Sequence, residues 1–157
     1  MKLILITLIT FLMVTASAKA DDFNCLVEAV YHEARSESLL GMLSVANVIL
    51  TRKESSNFPN TICKVVHQGR YWKGNPVRDK CQFSYWCDGK PERFIEVEGL
   101  IKSINVSEMV LKGIQVKQTV GATHYHANYV TPSWASDPRF KALGSIGKHL
   151  FYIDMRE

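Results

Sequence analysis

The sequence predicts one α+β domain, mainly helical with a small β-hairpin or sheet, behind an N-terminal leader. Three observations predict it. Apolar residues recur at helical spacing from Phe23 onward, a Gly, Pro and aromatic stretch interrupts them between Gly69 and Gly89, and short β-like runs occupy the last part. With 157 residues, 46% hydrophobic and 22% charged, the chain can bury one ordinary core and is too short for several. A multidomain machine and a disordered polymer are both excluded. The net charge of +4 includes Lys2 and Lys19 of the leader, so 17 basic residues face 15 acidic ones in the rest. Such a mild excess suits an anionic polymer without requiring one.

The leader comes first. Lys2 precedes an apolar run from Leu3 to Val14, and small residues follow at Ala16, Ser17, Ala18 and Ala20, the order of a secretory signal cut after Ala18 or Ala20. These twelve residues reach roughly 18 Å as a helix, short of the roughly 30 Å that a membrane span must cover. Residues 1–20 are therefore expected to be a signal peptide and 21–157 the exported domain, periplasmic or extracellular, with no membrane span after cleavage.

Phe23, Leu26, Val27, Val30 and Ala34 predict a first helix over about 22–36, with Asp21 and Asp22 placed to cap its start. A second helix runs from Leu39 through Leu50 until Ser55, Ser56 and Asn57 end it, and it is apolar enough to be central. A helical turn is expected around Thr61–Gln68. Between Gly69 and Gly89 we expect loop and a small hairpin, with Gln82–Trp86 alternating as a strand. Pro91 suits the first position of a further helix, or of two abutting ones, extending to Gly113. Two β-like runs, Val120–Tyr125 and His149–Ile153, flank a Pro-rich loop.

All four cysteines follow the leader, and an even number in an exported chain points to disulfides. Three pairings are open. Cys81 and Cys87 could close a small loop, leaving Cys25 to tie the first helix to Cys63.

Helical geometry separates the acidic residues of the first helix. At 100° per residue, the apolar positions lie within roughly 60° of Val30, Glu28 lies about 160° away in solvent, and Glu33 falls near 60°, on the rim of the apolar face. A rim carboxyl can be partly desolvated and still reach a cleft, which suits a general acid. His124 and His126 sit two apart in a strand-like run and share a face. With Glu33 or His149 as third ligand they could hold zinc; otherwise they pack and hydrogen-bond. Tyr71, Trp72, Phe83, Tyr85, Trp86, Tyr129 and Trp134, beside amides and hydroxyls such as Gln82 and Ser84, suit the stacked C–H faces of sugars or a small stiff core.

Several ordered motifs carry a resemblance: Tyr31-His32-Glu33-Ala34-Arg35, Gly41, Val45 to Arg52, Phe58-Pro59, Ile62-Cys63, Gln82-Phe83-Ser84, Cys87-Asp88-Gly89, Gly121 to Ala127, Pro132 with Trp134-Ala135, and Ile146-Gly147 with His149 and Phe151-Tyr152. In this order they resemble the cell wall hydrolase family typified by the spore cortex-lytic enzyme SleB, over nearly the whole chain after the leader. The resemblance implies a lysozyme-like domain and a lytic transglycosylase that acts on the glycan strands of peptidoglycan. It places the catalytic glutamate of the family's Glu-Ala-Arg motif at Glu33. Ser36 departs from the Gly that the family commonly has after that Arg, and the separate wall-binding domain carried by spore enzymes is not expected here, so the resemblance does not imply a spore role.

The expected mechanism uses Glu33 as acid and then base, with Gln82, Ser84, His124, Tyr125, His126 and Trp134 binding or orienting sugar. A second carboxylate, as hydrolysis would use, could come from Asp79, Asp88 or Asp137. We expect a monomer with no cofactor, no resident metal and no nucleic-acid partner. The alternatives are a metal-dependent amidase built on His124 and His126, and a non-catalytic wall-binding module.

Overall fold

The computed structural model describes Lys19 and residues 21–156; the expected signal segment, Lys19 apart, lies outside the described residues. Helix α1 covers 21–34 and α2 covers Leu39–Glu54. Ser38 caps α2, its side chain accepting from the Gly41 N–H at 3.2 Å, so the serine-rich break becomes a helix boundary. Leu26, Ala29 and Val30 of α1 and Val45, Ala46, Val48 and Ile49 of α2 are wholly buried in one core, and α2 is central as expected. Short α3, Ile62–Val66, is held to α1 by the Cys25–Cys63 disulfide. Helix α4, Val97–Leu111, packs across α2. The buried Asn47 amide joins α2 to the chain after α4, donating to the Ile114 carbonyl at 2.9 Å and accepting from the Val116 N–H at 2.8 Å.

Strands β1, Gly69–Trp72, and β2, Asn75–Cys81, form an antiparallel hairpin. A second antiparallel sheet has the order β3-β5-β4, with β3 at His124–Ala127, β4 at Phe140–Ile146 and β5 at His149–Asp154. The architecture is the mainly helical α+β arrangement read from the sequence, and among the described residues no helix is long and apolar enough to cross a membrane.

Several expectations change. Gln82–Trp86 is not a strand; Ser84–Cys87 is a 3₁₀ turn, and the hairpin lies upstream. The Cys81–Cys87 disulfide explains this, because six extended residues would span roughly 20 Å whereas these Cα atoms are 6.1 Å apart. Pro91 does not begin a helix. The hydroxyl of fully buried Tyr31 accepts the N–H groups of Ile95 and Glu96, both at 2.8 Å, and keeps 91–96 out of a helix until Val97.

Glu28, which the helical wheel had placed in solvent, is half-buried; burial and the charge of Glu92 in that segment raise its pKa. Strand β3 starts later than expected because Lys117–Thr119 forms a 3₁₀ turn and Gly121 takes a positive φ of 79°. Strand β4 replaces part of the expected loop. Its apolar alternation is broken by a register shift between Ala142 and Gly144, which concealed it.

Candidate active site

Glu33 occupies the last turn of α1, where the core face of the helix meets an open cleft of about 480 Å³. Tyr125, projected from β3 by antiparallel pairing with Phe151, donates its hydroxyl to Glu33 Oε2 at 3.0 Å. Arg52 of α2 lies below, its Nε donating to the Thr123 carbonyl at 2.6 Å. Burial pushes the Glu33 carboxyl up to about 7, outweighing the Tyr125 hydrogen bond and the Arg52 charge, which both pull it down. Burial, and then the neighbouring Glu33 charge, keep the Tyr125 phenol well above its ordinary value, so Tyr125 stays a hydrogen-bond donor.

Every site residue chosen from the sequence lines this one cleft: Glu33, Gln82, Ser84, His124, Tyr125, His126 and Trp134. Gln82 and Ser84 are exposed above buried Phe83, at the start of the turn that the Cys81–Cys87 disulfide closes. Trp134 lies in the Ser133–Ser136 turn, half-buried, with ring centroids 5.3, 5.6 and 5.3 Å from His124, His126 and Tyr152. His126 spans two partners, Nδ1 at 2.9 Å from the Ala127 carbonyl and Nε2 at 3.0 Å from the Tyr152 hydroxyl. A carbonyl only accepts, so Nδ1 carries a proton there.

His124 Nδ1 is 3.0 Å from Thr123 Oγ1, and burial, assisted by the Arg52 charge, draws its pKa down to about 4, leaving a neutral ring. The two histidines do share a face, and that face packs on Trp134. Among the described residues, no group of three His, Cys, Asp or Glu is arranged to hold an ion.

Tyr129, one of the aromatics that could stack on sugar, and His149, the possible third zinc ligand, also line the cleft, together with His32, Arg52 and Val130, to which the sequence reading gave no role. Arg52 stood in a motif without a role, because its reach to Thr123 depends on a chain separation of 71 residues. His149 sits edge-on to Tyr125 at 5.1 Å. Glu37, just beyond α1, accepts the Lys148 N–H at 3.0 Å and so holds the turn that enters β5. Gly147 is required beneath that carboxylate: its φ is 58°, and an added Cβ would lie 1.9 Å from Glu37 Oε2.

Residues 36–152 match the family model described as Cell Wall Hydrolase, a match that begins just after Glu33 and covers most of the chain. The chain belongs to the cell wall hydrolase family. Two curated relatives are a spore cortex-lytic enzyme of Bacillus cereus, 31% identical over 134 residues, and one of Oceanobacillus iheyensis, 32% identical over 134 residues. Each alignment takes in 83% of this chain but only 44% and 41% of the respective relative, so the chain spans under half their length.

Two solved structures are similar as well. The catalytic domain of the Bacillus cereus SleB protein superposes with a TM-score of 0.62 at 27% identity, covering 85% of this chain and 90% of that domain. The catalytic domain of the germination-specific lytic transglycosylase SleB from Bacillus anthracis gives 0.61 at 27% identity, covering 83% and 93%. These matches take in nearly the whole solved catalytic domains. Within this member of the family, the cleft presents a carboxyl that titrates near neutral pH, a phenol hydrogen-bonded to it, and flanking aromatic, amide and hydroxyl groups.

Proposed function

We propose that this hydrolase cleaves peptidoglycan as a lytic transglycosylase, breaking the bond between N-acetylmuramic acid and N-acetylglucosamine with Glu33 as its only acid and base. One observation carries the reading: among the described residues, Glu33 is the sole carboxyl lining the cleft, and it titrates near 7. The other acidic candidates stand elsewhere. Asp79 is exposed beside Arg78, Asp137 is paired with Arg139 at 2.5 Å, and Asp88 lies 3.7 Å from Lys90 outside this cleft.

Protonated Glu33 gives its proton to the glycosidic oxygen, and the bond from that oxygen to muramyl C1 breaks with an oxocarbenium-like transition state. The Glu33 carboxylate, steadied by the Tyr125 hydroxyl, then takes the proton of the muramyl 6-hydroxyl as that oxygen bonds to C1. The products are a 1,6-anhydromuramyl end and a free N-acetylglucosamine end, and Glu33 is protonated again. Gln82 and Ser84 offer hydrogen bonds to sugar hydroxyl and acetamido groups, Trp134 offers an apolar ring edge, and His126, whose two ring nitrogens are held by Ala127 and Tyr152, orients that wall. In this reading the enzyme acts as a monomer outside the cytoplasm, in the periplasm or beyond, without a cofactor.

Digestion of purified peptidoglycan by wild type and Glu33→Gln, with and without chelator and followed by mass spectrometry, tests it. Anhydromuramyl ends that vanish in Glu33→Gln are expected. Reducing muramyl ends would instead mean attack by water. Chelator-sensitive release of peptide would favour an amidase, and binding without products a non-catalytic module.

A further inference from the structure

A second cavity of about 400 Å³ opens beside the catalytic cleft, and His32 and Ser84 line both, so the two adjoin. It exists because 91–96 lies across α1 instead of starting a helix, the arrangement that the Tyr31 hydroxyl imposes. The two linings differ in kind. Glu33 and Arg52 are the carboxyl and guanidinium groups among the aromatic, amide and hydroxyl groups of the catalytic cleft. The second cavity is lined by Arg35, Asp88, Lys90, Glu92 and Arg93.

These charges are not all spent on one another. Arg35 is held by Glu96 at 3.1 Å and Lys90 lies 3.7 Å from Asp88 with its side chain 80% exposed. Arg93 and Glu92 are exposed at the mouth, and neither is in an ion pair among the described residues. Neutral sugar rings have no use for such a lining. A ligand that carries both carboxylates and an ammonium group does. In peptidoglycan that chemistry belongs to the short peptide attached to the lactyl group of muramic acid, beside the glycan and covalently joined to it.

We propose that the second cavity binds this peptide stem, its carboxylates at Lys90 and Arg93 and its free amine at Glu92, so that the enzyme selects peptide-bearing strands. The assignment rests on the peptidoglycan reading of the cleft and adds the substrate feature that the cleft itself does not read. Lys90 and Arg93 lie outside the catalytic machinery, on the exposed surface, so their loss affects stem binding and leaves glycan cleavage intact.

The test compares steady-state cleavage of three substrates: glycan strands with intact stems, the same strands stripped of peptide by an amidase, and strands whose stem carboxylates have been amidated. Wild type is expected to prefer intact stems about tenfold in kcat/KM, mainly through KM, and to lose that preference on amidated stems. The Lys90→Ala/Arg93→Ala double variant is expected to treat all three alike, at the wild-type rate on stripped strands, and Lys90→Glu/Arg93→Glu to disfavour intact stems. Equal wild-type rates on intact and stripped strands, or a double variant that keeps the preference, would overturn the assignment while leaving glycan cleavage standing. Failure of wild type to cut any of the three would overturn the peptidoglycan reading, and this assignment with it.

Discussion

On one side of the cleft Glu33 stands on α1, whose inward residues Leu26, Ala29 and Val30 have no exposure; on the other, β3 presents Tyr125 and His126, both half-buried and held by hydrogen bonds. The helical wall sets where the acid is and how little water reaches it. The sheet wall sets which hydrogen bond answers it. Burial and hydrogen bonding pull the Glu33 pKa in opposite directions, and burial prevails. The difference teaches that acid strength here is controlled by the packing of one wall and trimmed by the other, so each wall can be altered separately.

The largest effect should come from the helical wall. Glu33→Gln is expected to lower kcat by about 10²- to 10⁴-fold, the range for a lost general acid, in an assay of anhydromuramyl ends. The same substitution should raise stability. A carboxyl whose folded pKa exceeds its unfolded value destabilises the fold as it ionises, so the wild-type penalty grows between the ordinary value of 4.5 and about 7 and levels off above. At pH 8 that penalty is on the order of 3 kcal/mol. Thermal melts should therefore show Glu33→Gln well above wild type at pH 8 and nearly level with it at pH 4. Equal melting temperatures at pH 8 would mean that the carboxyl is not desolvated.

Disulfide removal compares the helical wall with the turn bearing Ser84, in stability alone. Cys25–Cys63 joins α1 to α3 across a separation of 38 residues, whereas Cys81–Cys87 closes one of 6 at the turn bearing Ser84. Loop-closure entropy assigns about 4 kcal/mol to the first and about 2 kcal/mol to the second. Denaturant titration of the two Cys→Ser pairs should rank them in that order.

On the sheet wall, Tyr125→Phe removes a bond that favours the ionised carboxylate, so the Glu33 pKa should rise and the alkaline limb of the pH–rate profile should move upward. A loss of about tenfold in kcat is expected at pH 6, matching one hydrogen bond to a charged group. A limb that moves downward would show that the bond serves the protonated acid instead. The smallest effect should follow Glu37→Ala, which frees the Lys148 N–H and loosens the turn before His149. A loss of about threefold in activity is expected, worth roughly 0.7 kcal/mol, and Glu37→Gln, which keeps an acceptor oxygen, should restore most of it.

Much of the site was legible because its signals are local. A helix period of 3.6 residues brings Glu33 to the rim of α1 whatever packs against it, and strand alternation turns His124 and His126 the same way. The cysteine spacings likewise suggested the pairs that form, Cys25 with Cys63 and Cys81 with Cys87. Strand β4 was hidden by its bulge, and the wheel misplaced Glu28 because a wheel records one helix and not what lies over it.

By itself, then, the sequence determined the helical frame, the rim position of the acid and the motifs that mark the family, since each depends on residues within a few turns or on their order. Tertiary structure alone decided that Tyr125 meets Glu33 from 92 residues away, that Tyr31 holds Ile95 and Glu96 ahead of α4, and that a charged cavity opens beside the cleft. Those outcomes arise where distant segments compete for the same buried hydrogen bonds and the same low-water space, and no local periodicity encodes which of them wins.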